Sequence, residues 1–223
     1  MKFLTINETN GEKSQFYYQP KFLDKKETHI IENWLNSLDD FRENPSFNKD
    51  KVARYQKWFQ EKGTYFCPQW EGTYRRWEAF KYDQILEKIQ DLILNKVRDL
   101  GLENQDIIIP KINSCLVNKY LTGSHYIKPH RDTDLAFGKE PVIIGVSLGS
   151  TRTIKFNRIQ YSGSNRFLSK KDKKNSHLNF SFKLENASLF IMSGSSQKYW
   201  SHEIPPCNST QCRYSLTFRK HIV

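Results

Sequence analysis

Four cysteines in 223 residues are too few, in so long a chain, to need or suggest a disulfide framework, and no pair has Cys-x-x-Cys spacing. Packing is the expected role of Cys67, Cys115, Cys207 and Cys212, and a reducing intracellular compartment, nucleus or cytoplasm, is the expected location. No apolar run approaches the roughly 20 residues that cross a bilayer, and residues 1–12 hold no continuous apolar core of a secretory signal. No membrane partner is expected. There is no internal repeat. Acid is the minority charge, with 24 Asp and Glu against 35 Lys and Arg for a net +11. Such an excess favours a polyanionic partner, because basic side chains on phosphates release counterions; the alternative is plain solubility charge. A hydrophobic fraction of 37% with 14% aromatics excludes a disordered chain. The length suits one substantial core, a single domain over residues 1–223, expected to be a monomer.

Two segments carry helical periodicity. Over residues 24–38, Asp24 with Glu27 reads as a capping box, and Ile30, Ile31, Trp34, Leu35 and Leu38 fall on one stripe. Over residues 83–100, Ile85, Leu86, Ile89, Leu92, Ile93 and Val97 keep the period, and Gly101 ends it. Residues 54–80 lie between them and fit neither period well. There Tyr55, Trp58, Phe59, Tyr65, Phe66, Trp70, Tyr74, Trp77 and Phe80 interleave with Arg54, Lys57, Lys62, Arg75 and Arg76. That mixture suits a base-stacking surface or a loop pinned to the body by its rings. From Ile107 onward the chain turns to short β-like runs at 107–109, 112–119, 125–131, 141–148, 152–157, 178–184, 187–192 and 211–219, separated by turn residues. The expected fold is α+β and β-rich: a jelly roll or double-stranded β-helix over residues 107–223, with the N-terminal helices packed on its outer sheet. Residues 158–177 read as a polar loop. Its Arg166, Lys170, Lys171, Lys173 and Lys174 form either a solvated face or a contact with a phosphate backbone.

His130 and Asp132 are two residues apart, so on a strand both project from one face toward a single ion. His202, in Trp-Ser-His, would come from a second chain segment. Two histidines and a carboxylate form the facial triad of non-haem Fe(II) oxygenases, which leaves coordination positions open; Zn2+ would accept the same ligands. Near the end, Arg213, Ser215, Thr217 and Arg219 alternate with Tyr214, Leu216 and Phe218. Two arginines turned into a β core need an anion, and the dicarboxylate 2-oxoglutarate is one that guanidinium forks match. The remaining histidines, His29, His125, His177 and His221, read as structural or surface residues.

These strings, together with Leu-Val-Asn-Lys-Tyr (116–120), Pro-Val-Ile-Ile-Gly-Val-Ser-Leu-Gly (141–149) and Arg152, resemble the AlkB family of Fe(II)/2-oxoglutarate-dependent nucleic-acid dealkylases over roughly residues 112–220. The likeness is greatest to the branch that repairs duplex DNA. The resemblance implies Fe(II) on His130, Asp132 and His202, with O2 and 2-oxoglutarate as co-substrates. It implies that Arg219 faces the C5 carboxylate of 2-oxoglutarate and Arg213 the chelating end. Asn118 and Tyr120 also bond it, assisted by Ser215 or Thr217. Asp134 reads the exocyclic amine of the damaged base. Residues 1–106 become N-terminal helices and a nucleotide-recognition lid that begins at Arg54-Tyr55-Gln56. Tyr65, Phe66, Arg152 and the lysines 170, 171, 173 and 174 complete the expected contacts with alkylated DNA or RNA. The expected reaction removes N-methyl groups, as on N1-methyladenine or N3-methylcytosine, releasing formaldehyde and succinate. Two alternatives stand beside it: a 2-oxoglutarate oxygenase acting on a protein or small molecule, and a non-catalytic nucleic-acid-binding module.

Overall fold

The computed structural model describes residues 1–8, 10–45, 52–160, 170–172 and 174–222. In chain order the elements are β1 (Lys2–Asn7), β2 (Lys13–Gln19), α1 (Lys25–Ser37), β3 (Arg42–Pro45), β4 (Val52–Gln60), α2 (Gln84–Arg98), β5 (Ser114–Tyr120), β6 (Ile127–His130) and α3 (Asp134–Phe137). They continue as β7 (Ile143–Gly149), β8 (Arg152–Gln160), β9 (Lys170–Lys171), β10 (Phe180–Leu184), β11 (Ser188–Gly194), α4 (Ser196–Tyr199), β12 (Trp200–Ile204) and β13 (Arg213–Arg219).

Both long helices start where their caps dictate. The Asp24 carboxylate accepts from Glu27 N at 2.8 Å and the Glu27 carboxylate accepts from Asp24 N at 2.8 Å. Asp83 accepts from the backbone of Ile85 and Leu86 at 2.9 and 2.7 Å, and its other oxygen takes the Trp34 indole at 3.0 Å, tying α2 to α1. The apolar stripes of the two helices bury Ile31, Trp34, Leu35, Leu86, Ile89, Ile93 and Val97 against Val117, Ile144, Val146, Leu189, Leu216 and Phe218 of the large sheet. Each such side chain contributes about 1.5–3 kcal/mol by leaving water.

The strands form a jelly roll of two antiparallel sheets. The large one has the order β1-β2-β11-β7-β13-β5-β4-β3, and the smaller β10-β8-β12-β6, with β9 beside β8. Because side chains alternate, the face of the large sheet opposite the helices points at the smaller sheet. The space between is filled unevenly. Toward β2, β11, β8 and β10 it is packed with Phe16, Phe156, Phe180, Phe182, Phe190 and Trp200. Toward β4, β5, β13, β6 and β12 it is polar.

Several elements depart from the sequence expectation. The N-terminal 106 residues supply four strands besides their helices. Residues 54–60, part of the stretch that fits neither period well, lie in β4, whose two faces are both covered. Trp58 packs on the inside with Phe66 and Phe137, while Phe59 packs outside with the helices. The apolar run 107–109 is not a strand. Ile107 plugs the helix layer and Ile108 is exposed, with Pro110 just beyond. The loop expected from residue 158 begins instead as a continuation of β8 to Gln160. Lys170 and Lys171 pair with that strand as β9, Lys174 is exposed, and Arg166 and Lys173 lie outside the described residues.

One buried polar knot lies at the end of β1. Glu8 accepts from Ser14 Oγ at 2.5 Å and from the Trp200 indole at 3.2 Å, and pairs with Arg158 at 2.5 Å. No helix is long and apolar enough to cross a membrane among the described residues.

Candidate active site

β6 and β12 are hydrogen-bonded neighbours, and their register sets His202 directly opposite His130. The imidazole centroids are 4.2 Å apart. Just beyond β6, Asp132 brings its carboxylate to the same point. Ligand atoms of His130, Asp132 and His202 lie within 4.8 Å of one another. His130 Nδ1 donates to the Lys128 carbonyl at 2.9 Å, which leaves Nε2 unprotonated and free for a metal. The structure thus brings together the three residues that the sequence singled out, as a group that could hold a metal ion.

Arg219 Nε donates to Asp132 Oδ2 at 2.7 Å, with both side chains almost wholly buried. Burial works to raise the Asp132 carboxyl, but Arg219 and the two imidazoles outweigh it and hold it below the usual range. Burial drives the imidazoles the other way. His202 is lowered to about 4, with Asp132 opposing and Arg219 adding, and His130 sits well below its ordinary value through burial and the neighbouring His202. At neutral pH the cluster is therefore two neutral imidazoles and one carboxylate, the protonation a divalent metal requires.

This contact corrects the order of the two arginines. Arg219 stands at the metal end. Arg213, six residues along the same inner face of β13, stands at the far end. There it donates to Ser147 Oγ at 2.8 Å and lies 5.1 Å from the Tyr120 ring centroid. Its Nε and Nη1 are buried with no hydrogen-bond partner, as is Nη1 of Arg219. Donors on buried cations are costly to leave unpaired. A dianion lying between Arg213 and the metal cluster would satisfy them, so these residues fit 2-oxoglutarate as well as they fit a metal.

The other expected co-substrate residues share that face. Ser215 and Thr217 lie between the arginines, and Asn118 and Tyr120 project from the adjoining β5 in the pairings Ser215–Asn118 and Arg213–Tyr120. The Asn118 oxygen is already taken by Arg54 Nε at 2.7 Å, and its amide nitrogen reaches Ser215 Oγ at 3.5 Å. Arg54 is thus an interior residue of β4, next to the site but not part of a lid. Gln56, fully buried, follows it on the same face.

Two expected substrate contacts are structural instead. Arg152 is 2% exposed and donates to the carbonyls of His125 and Pro205 at 2.8 and 2.7 Å, pinning two loops. Phe66 is buried among Trp58, Trp77 and Phe137, with the Trp77 centroid 4.3 Å away. It has no free face for a base. Tyr65 is half-buried and its hydroxyl donates to the Tyr74 carbonyl. Asp134 opens α3, and its Oδ1 is buried with no hydrogen-bond partner. It lines a cleft of about 460 Å3 together with Arg131, Asp132, Lys139 and Gln197.

Two residues at the site escaped the sequence reading. Ser147 had a signal: Gly145, Ser147 and Gly149 alternate with Ile144, Val146 and Leu148, and small residues on one face of a strand leave room for a ligand. Gln197 had none, since α4 is only four residues long and too short to show a period.

Comparison with known proteins agrees with this geometry. The family model of the 2OG-Fe(II) oxygenase superfamily matches residues 15–219. The Arabidopsis thaliana DNA oxidative demethylase ALKBH2 is 31% identical over 118 residues, covering 49% of this chain and 38% of that protein. The Mus musculus alpha-ketoglutarate-dependent dioxygenase alkB homolog 3 is 31% identical over 111 residues, 48% of this chain and 36% of that protein. The matched segments are thus little more than a third of those relatives' own length. Among solved structures, OsALKBH1 superposes with a TM-score of 0.56 at 16% identity, covering 92% of this chain and 97% of that one. A Burkholderia pseudomallei oxidoreductase of the 2OG-Fe(II) oxygenase family gives 0.57 at 15% identity, covering 92% and 84%. The fold, the clustered triad and the family match together place this chain in the 2OG-Fe(II) oxygenase superfamily, as an AlkB-like member.

Proposed function

We propose that this dioxygenase oxidatively demethylates N-alkylated bases in DNA or RNA, with N1-methyladenine and N3-methylcytosine as first substrates. The observation that carries the oxygenase chemistry is the pair of buried arginines with unpaired donors beside a neutral-imidazole, carboxylate triad. Support for a nucleic-acid substrate comes from the net charge of +11 and from the names of the relatives.

His130, Asp132 and His202 would hold Fe(II). Arg213, with Ser147 and Tyr120 beside it, would hold the far carboxylate of 2-oxoglutarate. Arg219 keeps Asp132 ionised and aimed at the metal, and offers Nη1 to the near end. When bound, Fe(II) with 2-oxoglutarate and O2 supplies the oxidation: 2-oxoglutarate becomes succinate and CO2, and the N-methyl group gains one oxygen and leaves as formaldehyde. The aromatic packing behind His202, with Phe156 at 6.0 Å, keeps water from that side. Asp134 lies in the cleft beside Asp132, where its unpaired oxygen favours a base carrying positive charge. A base inside a duplex has to be flipped out to reach it.

One observation favours the second reading, a protein or small-molecule substrate. Phe66, Trp70 and Trp77 pack on one another instead of presenting open faces for bases. The same experiment tests both readings. The iron-loaded protein is incubated with methylated DNA and RNA oligomers, with and without 2-oxoglutarate, and formaldehyde and product masses are read. The expected result is the net loss of one CH2 as N–CH3 becomes N–H, dependent on 2-oxoglutarate. Succinate formation with no change in any oligomer sinks the nucleic-acid reading and leaves the oxygenase.

A further inference from the structure

The two chain segments that carry the triad meet at one side chain outside it. Asp132 follows the end of β6, so its backbone N–H has no ladder partner, and a buried N–H needs one. Gln197 Oε1 accepts it at 2.8 Å. The carbonyl of the same residue accepts from Arg131 Nη1 at 3.0 Å, and its amide nitrogen donates to Met192 Sδ at 3.2 Å. Gln197 is 4% exposed and sits in α4, which runs directly into β12 and His202 five residues later. One residue therefore grips both positions after His130 while its own helix delivers the third ligand.

We propose that Gln197 is a positioning residue for the metal: its side-chain oxygen fixes the backbone at Asp132 just past β6, so that the carboxylate meets the two imidazoles before any ion arrives. Groups that orient ligands from outside the coordination sphere typically change metal affinity 10–100-fold. The inference rests on the triad holding a metal.

The test measures Mn(II) binding calorimetrically and the melting temperature of the metal-free chain, in wild type and two variants. Gln197→Met keeps the length and loses the acceptor. Its Mn(II) affinity falls about 10–100-fold, while the metal-free chain melts only about 2–4 °C lower, as one lost hydrogen bond predicts. Gln197→Glu keeps an acceptor, with Arg131 beside it to offset the added charge, and binds Mn(II) within about threefold of wild type. Unchanged affinity in Gln197→Met, equal losses in both variants, or a Gln197→Met chain that does not fold would each overturn the proposal; the last makes the role purely structural. A wild-type chain that binds no Mn(II) removes the triad reading itself, which is a separate failure.

Discussion

The space between the two sheets is built in two ways on one backbone. Toward β2, β11, β8 and β10 it is dry and aromatic, with Phe16 at 4.8 Å from Phe156 and 4.9 Å from Phe180. Toward β4, β5, β13, β6 and β12 it holds Arg54, Arg213, Arg219, Asp132 and two neutral imidazoles, several of their polar atoms unpaired. The first half is finished without a ligand. The second is not, and its polar groups make sense only with something between them. The aromatic half supplies the stability that lets the other half stay unsatisfied.

That division can be broken from either side. The largest effect is expected from His130→Ala or Asp132→Ala, which should cut formaldehyde release from methylated oligomers by more than about a thousandfold while leaving oligomer binding nearly intact; comparable turnover would remove the triad. Next, Phe16→Ala should destabilise the chain by about 3–5 kcal/mol in denaturant melts, with the 2-oxoglutarate requirement of the folded protein unchanged. A large rise in that requirement would mean the two halves are not separable. Arg213→Ala should raise the 2-oxoglutarate concentration for half-maximal turnover about 10–100-fold, the loss of one charge-assisted contact; an unchanged value would take Arg213 out of the site. The smallest effect is in pH. The folded His202 titrates at about 4, against 6.5 for its ordinary value. The unfolded chain thus takes up a proton over that interval and the folded one does not, so metal-free stability is full above pH 6.5 and falls as pH drops toward 4. Between pH 7.5 and 5.5 this imidazole alone contributes a loss of about 1 kcal/mol, and a flat profile would place it in contact with water.

The residues that were legible in the sequence are those whose pattern and chemistry coincide. His-x-Asp on a strand end and Arg-x5-Arg in strict alternation state both a geometry and a need for a partner. The two helices were equally plain, because their caps and stripes are local. What stayed hidden was set by tertiary contact. β4 is covered on both faces, which erases the alternation that marks a strand. Phe66 and Arg152 have the residue types of a nucleic-acid surface, and only packing shows that they serve the body of the protein. Which arginine stands beside Asp132 was misread because strand period says which residues share a face, not which end of it lies over the His-Asp-His cluster. Gln197 is a polar residue in a helix of four, and no local pattern separates it from its neighbours.

The knot at Glu8 bears on how the protein can be handled. Trimming the first dozen residues for expression would remove an edge strand that looks dispensable, yet it would strand the Arg158 guanidinium in the interior and release the Trp200 indole, two positions ahead of His202. Losing one partner of such an enclosed pair costs about 3–5 kcal/mol. A shortened version would thus be a poor reagent for measuring iron uptake.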